Sequence, residues 1–272
     1  MTWNRSIPRP RSRPAAPALL VVLSACAGAP TATPGPTPAT EAEWRALRTP
    51  RPEPLPGAAR VAVTSVDFLG AYTWPHEGSV SADLGVAELA IAGLLRRPDV
   101  HFVERRRFGA AADAERQGRP RPAGRPPVGV SPGAEFAAMA VYAPLSGTLA
   151  SLEVRLTDMR TGDVAGATRV QVSASADALL MGRALVEGIL VVLDGLGRLP
   201  VWDDPQANAP GADRVGSDAI DNFLRGLAYE EAFRWEYARD AYQAASQADF
   251  PEADAALART ARLRLGGTLA ES

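Results

Sequence analysis

The sequence predicts an α/β fold, a mixed sheet with packed helices, followed by a small all-α segment. Apolar, β-branched stretches that are typical of strands begin at residue 60 and recur after residue 134. Stretches with apolar residues at helical spacing separate and follow them. Beyond about residue 216 the pattern is helical throughout.

The first strand, helix and second strand indicate a βαβ unit. RVAVTSVDFLG, from Arg60, has the composition of a core strand, and the loop AYTWPHEG follows it. SVSADLGVAELAIAGLLRR then predicts an amphipathic helix with Ser79 or Ser81 as its cap and arginines in its last turn. VHFVERRRF predicts a second strand that runs into a polar helix, AAADAERQ.

Three strand candidates lie between residues 134 and 174. The clearest is 151–159, where apolar and polar residues alternate, as in a strand with one buried face. The turn RTGD at 160–163 predicts an antiparallel hairpin with Gly162 at positive φ. A strongly apolar helix follows at 176–199, and its charged residues Arg183, Glu187 and Asp194 favour a core helix over a membrane span.

The amino-terminal segment has the order of an export signal. Four arginines and no acidic residue precede an apolar run of about a dozen residues, whereas a spanning helix needs roughly 20. The run ends in Leu23-Ser24-Ala25-Cys26, which resembles the lipobox of bacterial lipoproteins. The resemblance implies that residues 1–25 are a lipoprotein signal peptide and that Cys26 is acylated. An ordinary cleaved signal with an incidental thiol is the alternative.

The same resemblance implies a compartment and a first partner. Ala27 follows the cysteine, and in lipoproteins a residue other than aspartate there usually implies the outer membrane. We therefore expect the protein on the periplasmic face of that membrane, bound to lipid through acylated Cys26. Residues 26–58, rich in Pro, Ala and Thr, predict an extended, mostly disordered tether that would reach up to about 90 Å at roughly 3 Å per residue.

Composition and motifs argue against several functions. The formal net charge of −2 becomes more negative once the signal arginines are removed, so nucleic acid is not expected as a partner. His76 and His101 do not have the spacing of a metal site, and no phosphate-binding loop or nucleophile elbow occurs. We therefore expect no enzyme activity, no cofactor and no metal. The Arg-rich segment 105–125 is interpreted as a solvated face or, alternatively, a contact for anionic headgroups or a protein.

The segment 59–198 resembles the periplasmic domain family of the curli secretion lipoprotein CsgG and the TolB amino-terminal domain. VAVTSVDF at the first strand, HFVERRRF at the second and VRLTDMRTGDV at the hairpin carry the resemblance. It implies a CsgG/TolB-like α/β domain in an envelope protein. An unrelated exported α/β domain with a similar hairpin is the alternative.

After a linker at 199–215, residues 216–266 resemble a tetratricopeptide repeat, here a helical hairpin plus a capping helix. The residues at its small and aromatic packing positions are Gly226, Tyr229, Ala238, Tyr242 and Ala245. Asn222 and Arg225 replace the expected Trp and Leu, so a generic helical hairpin is the alternative. A lone repeat must dock on the α/β domain, on another copy or on a partner.

The function that this organisation predicts is a non-enzymatic, membrane-tethered interaction or assembly factor of the cell envelope. The lipid would hold a binding module close to an envelope protein, so that a modest interface suffices. A homo-oligomer is compatible with the same organisation. The alternatives are a ring-forming component of a curli-like secretion system and, less favoured, an envelope hydrolase without a recognisable motif.

Overall fold

The computed structural model describes residues 36–48, 51–70, 72–76, 80–103, 133–202 and 215–265. The signal peptide, Cys26, the Arg-rich segment 105–125, the polar helix AAADAERQ and most of the linker 199–215 lie outside these residues. What the sequence indicates about them stays a prediction, as do the domain boundaries.

Within the described residues, five strands form one mixed sheet in the order β2-β1-β3-β4-β5. They are β1 Ala59–Phe68, β2 Val100–Phe102, β3 Phe136–Pro144, β4 Leu149–Asp158 and β5 Val164–Ser173. β1 pairs in parallel with β2 and β3, and the β3–β4 and β4–β5 pairs are antiparallel. The βαβ unit and the hairpin agree with the prediction, and Gly162 in the hairpin turn has a φ of 83°.

Helices form the remainder of the regular structure in the described part of the chain. They are α1 Glu41–Ala46, α2 Ala82–Leu95, α3 Ala178–Gly195, α4 Ser217–Glu231, α5 Trp235–Ser246 and α6 Pro251–Arg264. The mixed sheet with packed helices and the helical carboxyl-terminal part confirm the predicted fold class. Helices α4 to α6 are called the helical unit below.

Two hydrophobic clusters hold these layers together. The first lies between the sheet and helices α2 and α3, with Val63, Leu156 and Ile91 among its buried members. The second joins α2 and the start of α3 to the helical unit, and its aromatic centre is Phe223, Tyr242 and Phe250. The helical unit therefore docks on the two helices that cover the sheet.

Helix α2 lies between these two clusters and is not the amphipathic helix that the sequence predicts. Residues Gly85 to Ala92 are all buried, as are Leu94 and Leu95. Ile91 belongs to the first cluster, between α2 and the sheet, whereas Leu89 belongs to the second cluster, between α2 and the helical unit. The prediction was wrong because the helical unit covers the side of α2 that faces away from the sheet.

The extended tether predicted for residues 26–58 is also corrected within its described part. Thr40 and Glu43 form a capping box: the Thr40 hydroxyl accepts from the Glu43 amide at 3.2 Å, and a Glu43 carboxylate oxygen accepts from the Thr40 amide at 2.6 Å. The Trp44 side chain is only 1% exposed, and the Arg239 guanidinium lies 5.9 Å from its ring centroid. Residues 40–46 thus form a capped helix with a buried anchor.

Candidate functional site

A buried ion pair and a partly buried one fix the helical unit on the layer beneath it. Arg259 of α6 places Nη1 2.5 Å from Oε2 of Glu88 in α2, and the two side chains are 3% and 2% exposed. Arg183 Nε in α3 donates to Glu252 Oε1 in α6 at 3.3 Å. Charged hydrogen bonds are directional, so these pairs set the orientation of α6 against both α2 and α3.

A second polar cluster joins the three helices of the unit. The carboxylate of Glu230, in α4, accepts from the hydroxyl of Thr260 at 2.5 Å and from that of Tyr242 at 3.3 Å. Glu230 and Thr260 are fully buried. The helical unit thus carries a buried acceptor at its centre, which favours one arrangement of its helices over others.

The predicted packing residues meet where α4 crosses α5. Ala238, Tyr242 and Ala245 are buried, and a Cβ on Gly226 would lie 2.7 Å from two ring carbons of Tyr242. Tyr229 lies at the rim, with its ring centroid 5.1 Å from that of Tyr237. The assignment of this hairpin to a tetratricopeptide repeat stays a prediction.

The tip of the same hairpin exposes an aromatic surface that the sequence analysis missed. We call Tyr229, Phe233, Trp235 and Tyr237 the aromatic turn. Phe233 is 71% exposed and Tyr237 is 40% exposed. The Phe233 and Trp235 rings lie edge to face, with centroids 5.7 Å apart. Three aromatic residues within FRWEY at a helix junction are the sequence signal for such a patch.

The backbone of Phe233 is strained. Its φ is 57°, in the left-handed region that disfavours residues with a bulky side chain. Glycine adopts this conformation without steric cost, and the exposed Phe233 ring gains little from burial in return. The Phe233 amide donates to the Glu230 carbonyl oxygen and the Arg234 amide to that of Tyr229, so this conformation is the Schellman cap that ends α4. An exposed aromatic residue stands here where glycine is usual.

A separate cleft opens at the carboxyl end of β1. It has a volume of about 410 Å³ and is lined by Val66, Asp67, Phe68, Gly70, Tyr72, Trp74, Ala82 and Asp83. The Tyr72 ring stacks on Phe68 at 4.8 Å, and its hydroxyl donates to the carbonyl oxygen of Ala176 at 3.1 Å. Asp67 and Asp83 are the carboxylates among these lining residues, and they are the first candidates to test under the hydrolase alternative.

The Tyr72 hydroxyl cannot serve as a base in this cleft at neutral pH. Burial raises the pKa of Tyr72 to about 12, and the charges of Tyr142 and Asp177 act in the same direction. The hydroxyl is thus protonated at pH 7, where it already donates to a backbone carbonyl. Its hydrogen bond to Ala176 ties this wall of the cleft to the residues just before α3.

The raised pKa of Tyr72 predicts a loss of stability in alkali. In the unfolded chain a tyrosine loses its proton near pH 10, and in the fold Tyr72 does so only near pH 12. The unfolded state therefore binds fewer protons between these values, and the free energy of unfolding falls as pH rises from 10 to 12. Urea unfolding measured across this range should show a shallower fall for Tyr72→Phe than for wild type. If the free energy of unfolding fell equally steeply with pH in both proteins, Tyr72 would not be the group with the raised pKa.

The described ranges contain neither a metal-binding cluster nor a membrane-spanning helix. Among these residues, no group of three or more His, Cys, Asp and Glu side chains lies close enough to hold a metal ion. No helix in the same ranges is both long and apolar enough to cross a membrane.

Comparison with known proteins gives structural similarity only. No protein-family model matches the chain, and no curated relative matches it. The LpoB C-terminal domain from Salmonella enterica is similar over 42% of this chain and 82% of its own, at 16% identity and a TM-score of 0.30. A lipoprotein from Neisseria meningitidis is similar over 51% and 96%, at 14% identity and a TM-score of 0.30.

A third solved structure, the PelC dodecamer from Paraburkholderia phytofirmans, is similar over 52% of this chain and 88% of its own. The identity is 17% and the TM-score is 0.26. TM-scores this low support no argument about function. The function is therefore argued from the chain's own residues. The resemblance to the CsgG and TolB domains stays a prediction.

Proposed function

We propose that this protein is a non-enzymatic, membrane-tethered interaction factor of the cell envelope, and that the aromatic turn is its protein-binding surface. The observation that carries the proposal is Phe233, an exposed aromatic residue at positive φ. Acylated Cys26 would be the membrane anchor, on the periplasmic face of the outer membrane. The partner would be an envelope protein.

The chemistry of the aromatic turn is that of a binding hot spot. Tyr and Trp are enriched at the centres of protein interfaces, where they bury a large area at a small entropic cost. Glu231 and Arg234, both exposed, flank Phe233 and supply the polar rim that such interfaces have. An aromatic centre with a charged rim favours a protein partner over a small apolar ligand.

The support beneath the aromatic turn favours a preorganised surface. The Glu88–Arg259 and Arg183–Glu252 pairs hold α6 on the layer below, and the Glu230 cluster holds α4 and α5 on α6. A surface that is already ordered loses less conformational entropy when a partner binds.

The test is a Phe233→Gly variant of the full-length chain in cells of the source organism. Glycine relieves the strain at positive φ, so we expect the free energy of unfolding to stay equal or rise by up to about 1 kcal/mol. We expect crosslinking to the partner to be lost. The two readouts are urea unfolding of the purified chain and crosslinking in intact cells, with Cys26→Ser as the unanchored reference.

The control is Val164→Ser, which changes an exposed apolar residue on the β4–β5 hairpin, away from the aromatic turn. It should leave the crosslinked product unchanged. If Phe233→Gly captures the same partner as wild type, the aromatic turn is not the binding surface. Self-crosslinked rings would support the secretion component, and turnover lost in Asp67→Asn would support the hydrolase.

A further inference from the structure

The cleft at the carboxyl end of β1 lies where open α/β sheets bind ligands. β1 pairs in parallel with β2 on one side and with β3 on the other, so the strand order reverses at β1. Ligands of such sheets bind beside the carboxyl ends of the strands at the point of reversal. The volume of about 410 Å³ is within the range of small-molecule sites, and the proposed function does not use this cleft.

The charge on the walls of the cleft is negative. Asp67 and Asp83 line it, and no Arg, Lys or His is among the lining residues in the described part of the chain. Both aspartate side chains belong to exposed residues. Within the described ranges, neither carboxylate has a hydrogen bond or an ion pair. Both are therefore available to a cation that enters from the solvent.

Three half-buried aromatic rings form the apolar part of the same walls. The Phe68 and Tyr72 rings stack with centroids 4.8 Å apart, and the centroid of Trp74 lies 6.3 Å from that of Tyr72. The Trp74 ring lies against Gly85 of α2, where a Cβ would be 2.9 Å from a ring carbon. Since the Tyr72 hydroxyl is also bonded to Ala176, this wall is formed without a ligand.

We infer that this cleft binds a small organic cation that carries an ammonium group. The faces of aromatic rings carry partial negative charge and attract cations, and aromatic cages are a common way to bind quaternary ammonium groups. An inorganic cation would leave the aromatic wall without a contact, and a neutral apolar molecule would leave both carboxylates without a partner. The combination favours an ammonium group, either on a free amine or on a lipid headgroup.

The experiment is calorimetric titration of the purified full-length chain with choline and with ethanolamine, which carry a quaternary and a primary ammonium group. The matched control ligand is dimethylbutanol, the neutral analogue of choline in which a carbon atom replaces the charged nitrogen. Sodium chloride at equal ionic strength measures the screening effect alone. We expect saturable binding of at least one ammonium probe and no binding of the neutral alcohol.

Substitutions of the two aspartates separate a specific site from general charge attraction. Asp67→Asn and Asp83→Asn each remove one charge from an exposed residue, and we expect each to weaken binding about fivefold without unfolding the chain. The double variant should weaken it further. Asp194→Asn is the matched control, because Asp194 is exposed on α3 and is not among the lining residues.

A further pair of probes distinguishes the two sources of the ammonium group. Glycerophosphocholine and glycerophosphoethanolamine carry the same ammonium groups next to the phosphate of a lipid headgroup. If they bind more tightly than choline and ethanolamine, the ligand is a lipid headgroup. If they bind more weakly, the added phosphate is disfavoured beside the aspartates and the ligand is a free amine.

Three results would overturn the inference. The first is that neither ammonium probe gives heat beyond that of sodium chloride at equal ionic strength. The second is that dimethylbutanol binds as tightly as choline. The third is that the double aspartate variant binds as tightly as the Asp194→Asn control. The cleft is a different surface from the aromatic turn, so the capture of a protein partner through Phe233 neither supports nor opposes this inference.

Discussion

Replacing Arg259 with leucine is expected to lower the free energy of unfolding by about 3–5 kcal/mol, because it removes one member of a buried ion pair. The Glu88 carboxylate, 2% exposed, would lose the guanidinium that lies 2.5 Å from it. A carboxylate left in that position must be desolvated without this partner or take up a proton. Urea unfolding followed by circular dichroism measures the loss.

The double variant Glu88→Leu/Arg259→Leu distinguishes charge from packing. Removing both charges eliminates the desolvation cost, so we expect it to recover most of the stability that the single variant loses. Arg264→Leu, an exposed substitution on the same helix, should change stability by less than about 0.5 kcal/mol. If the single and double variants lost the same free energy of unfolding, the contribution of Arg259 to stability would come from its side-chain volume and not from its charge.

The parts of the fold that the sequence predicted correctly are those governed by local patterns. Strand β4 alternates apolar and polar residues, and Gly162 marks the turn that joins it to β5. Helix α3 was recognised as a core helix because charged residues interrupt its apolar run. In each case the signal lies within about twenty residues, so no knowledge of distant contacts is required.

The burial of both faces of helix α2 could not be predicted from local sequence patterns. Glu88 lies within an apolar stretch, where a single charge is usually solvent-exposed. Its partner, Arg259, is 171 residues further along the chain. The second buried face of α2 is likewise made by residues of the helical unit, so neither the burial of Leu89 nor that of Glu88 could be predicted from the helix itself.

The aromatic turn and helix α1 were missed for different reasons. Thr40, Glu43 and Trp44 are a local signal for a capped helix with an apolar anchor, but the Pro-rich composition around them favoured a tether. The aromatic residues of FRWEY are a local signal for a surface patch, and the analysis of the repeat positions around them did not use it. The positive φ of Phe233 has no local signal, because it follows from the way α4 ends and α5 begins.

Replacing Gly226 with alanine is expected to lower the free energy of unfolding by about 1–3 kcal/mol. On helix propensity alone the substitution should stabilise α4 by up to about 1 kcal/mol. The added Cβ, however, would lie 2.7 Å from two ring carbons of Tyr242. That ring is buried, and its hydroxyl donates to Glu230, so it has little room to move. The two helices would have to separate, and thermal or urea unfolding would register the loss.

The matched control is Gly195→Ala in the last turn of α3, where nothing lies within 4 Å of the added Cβ. It should be neutral or slightly stabilising, since only the propensity effect remains. If Gly226→Ala behaves like this control, the Tyr242 ring yields and the close approach of α4 to α5 is not required. If it destabilises as expected, the small residue at position 226 is what allows α4 and α5 to pack closely, and through them positions the aromatic turn at their junction.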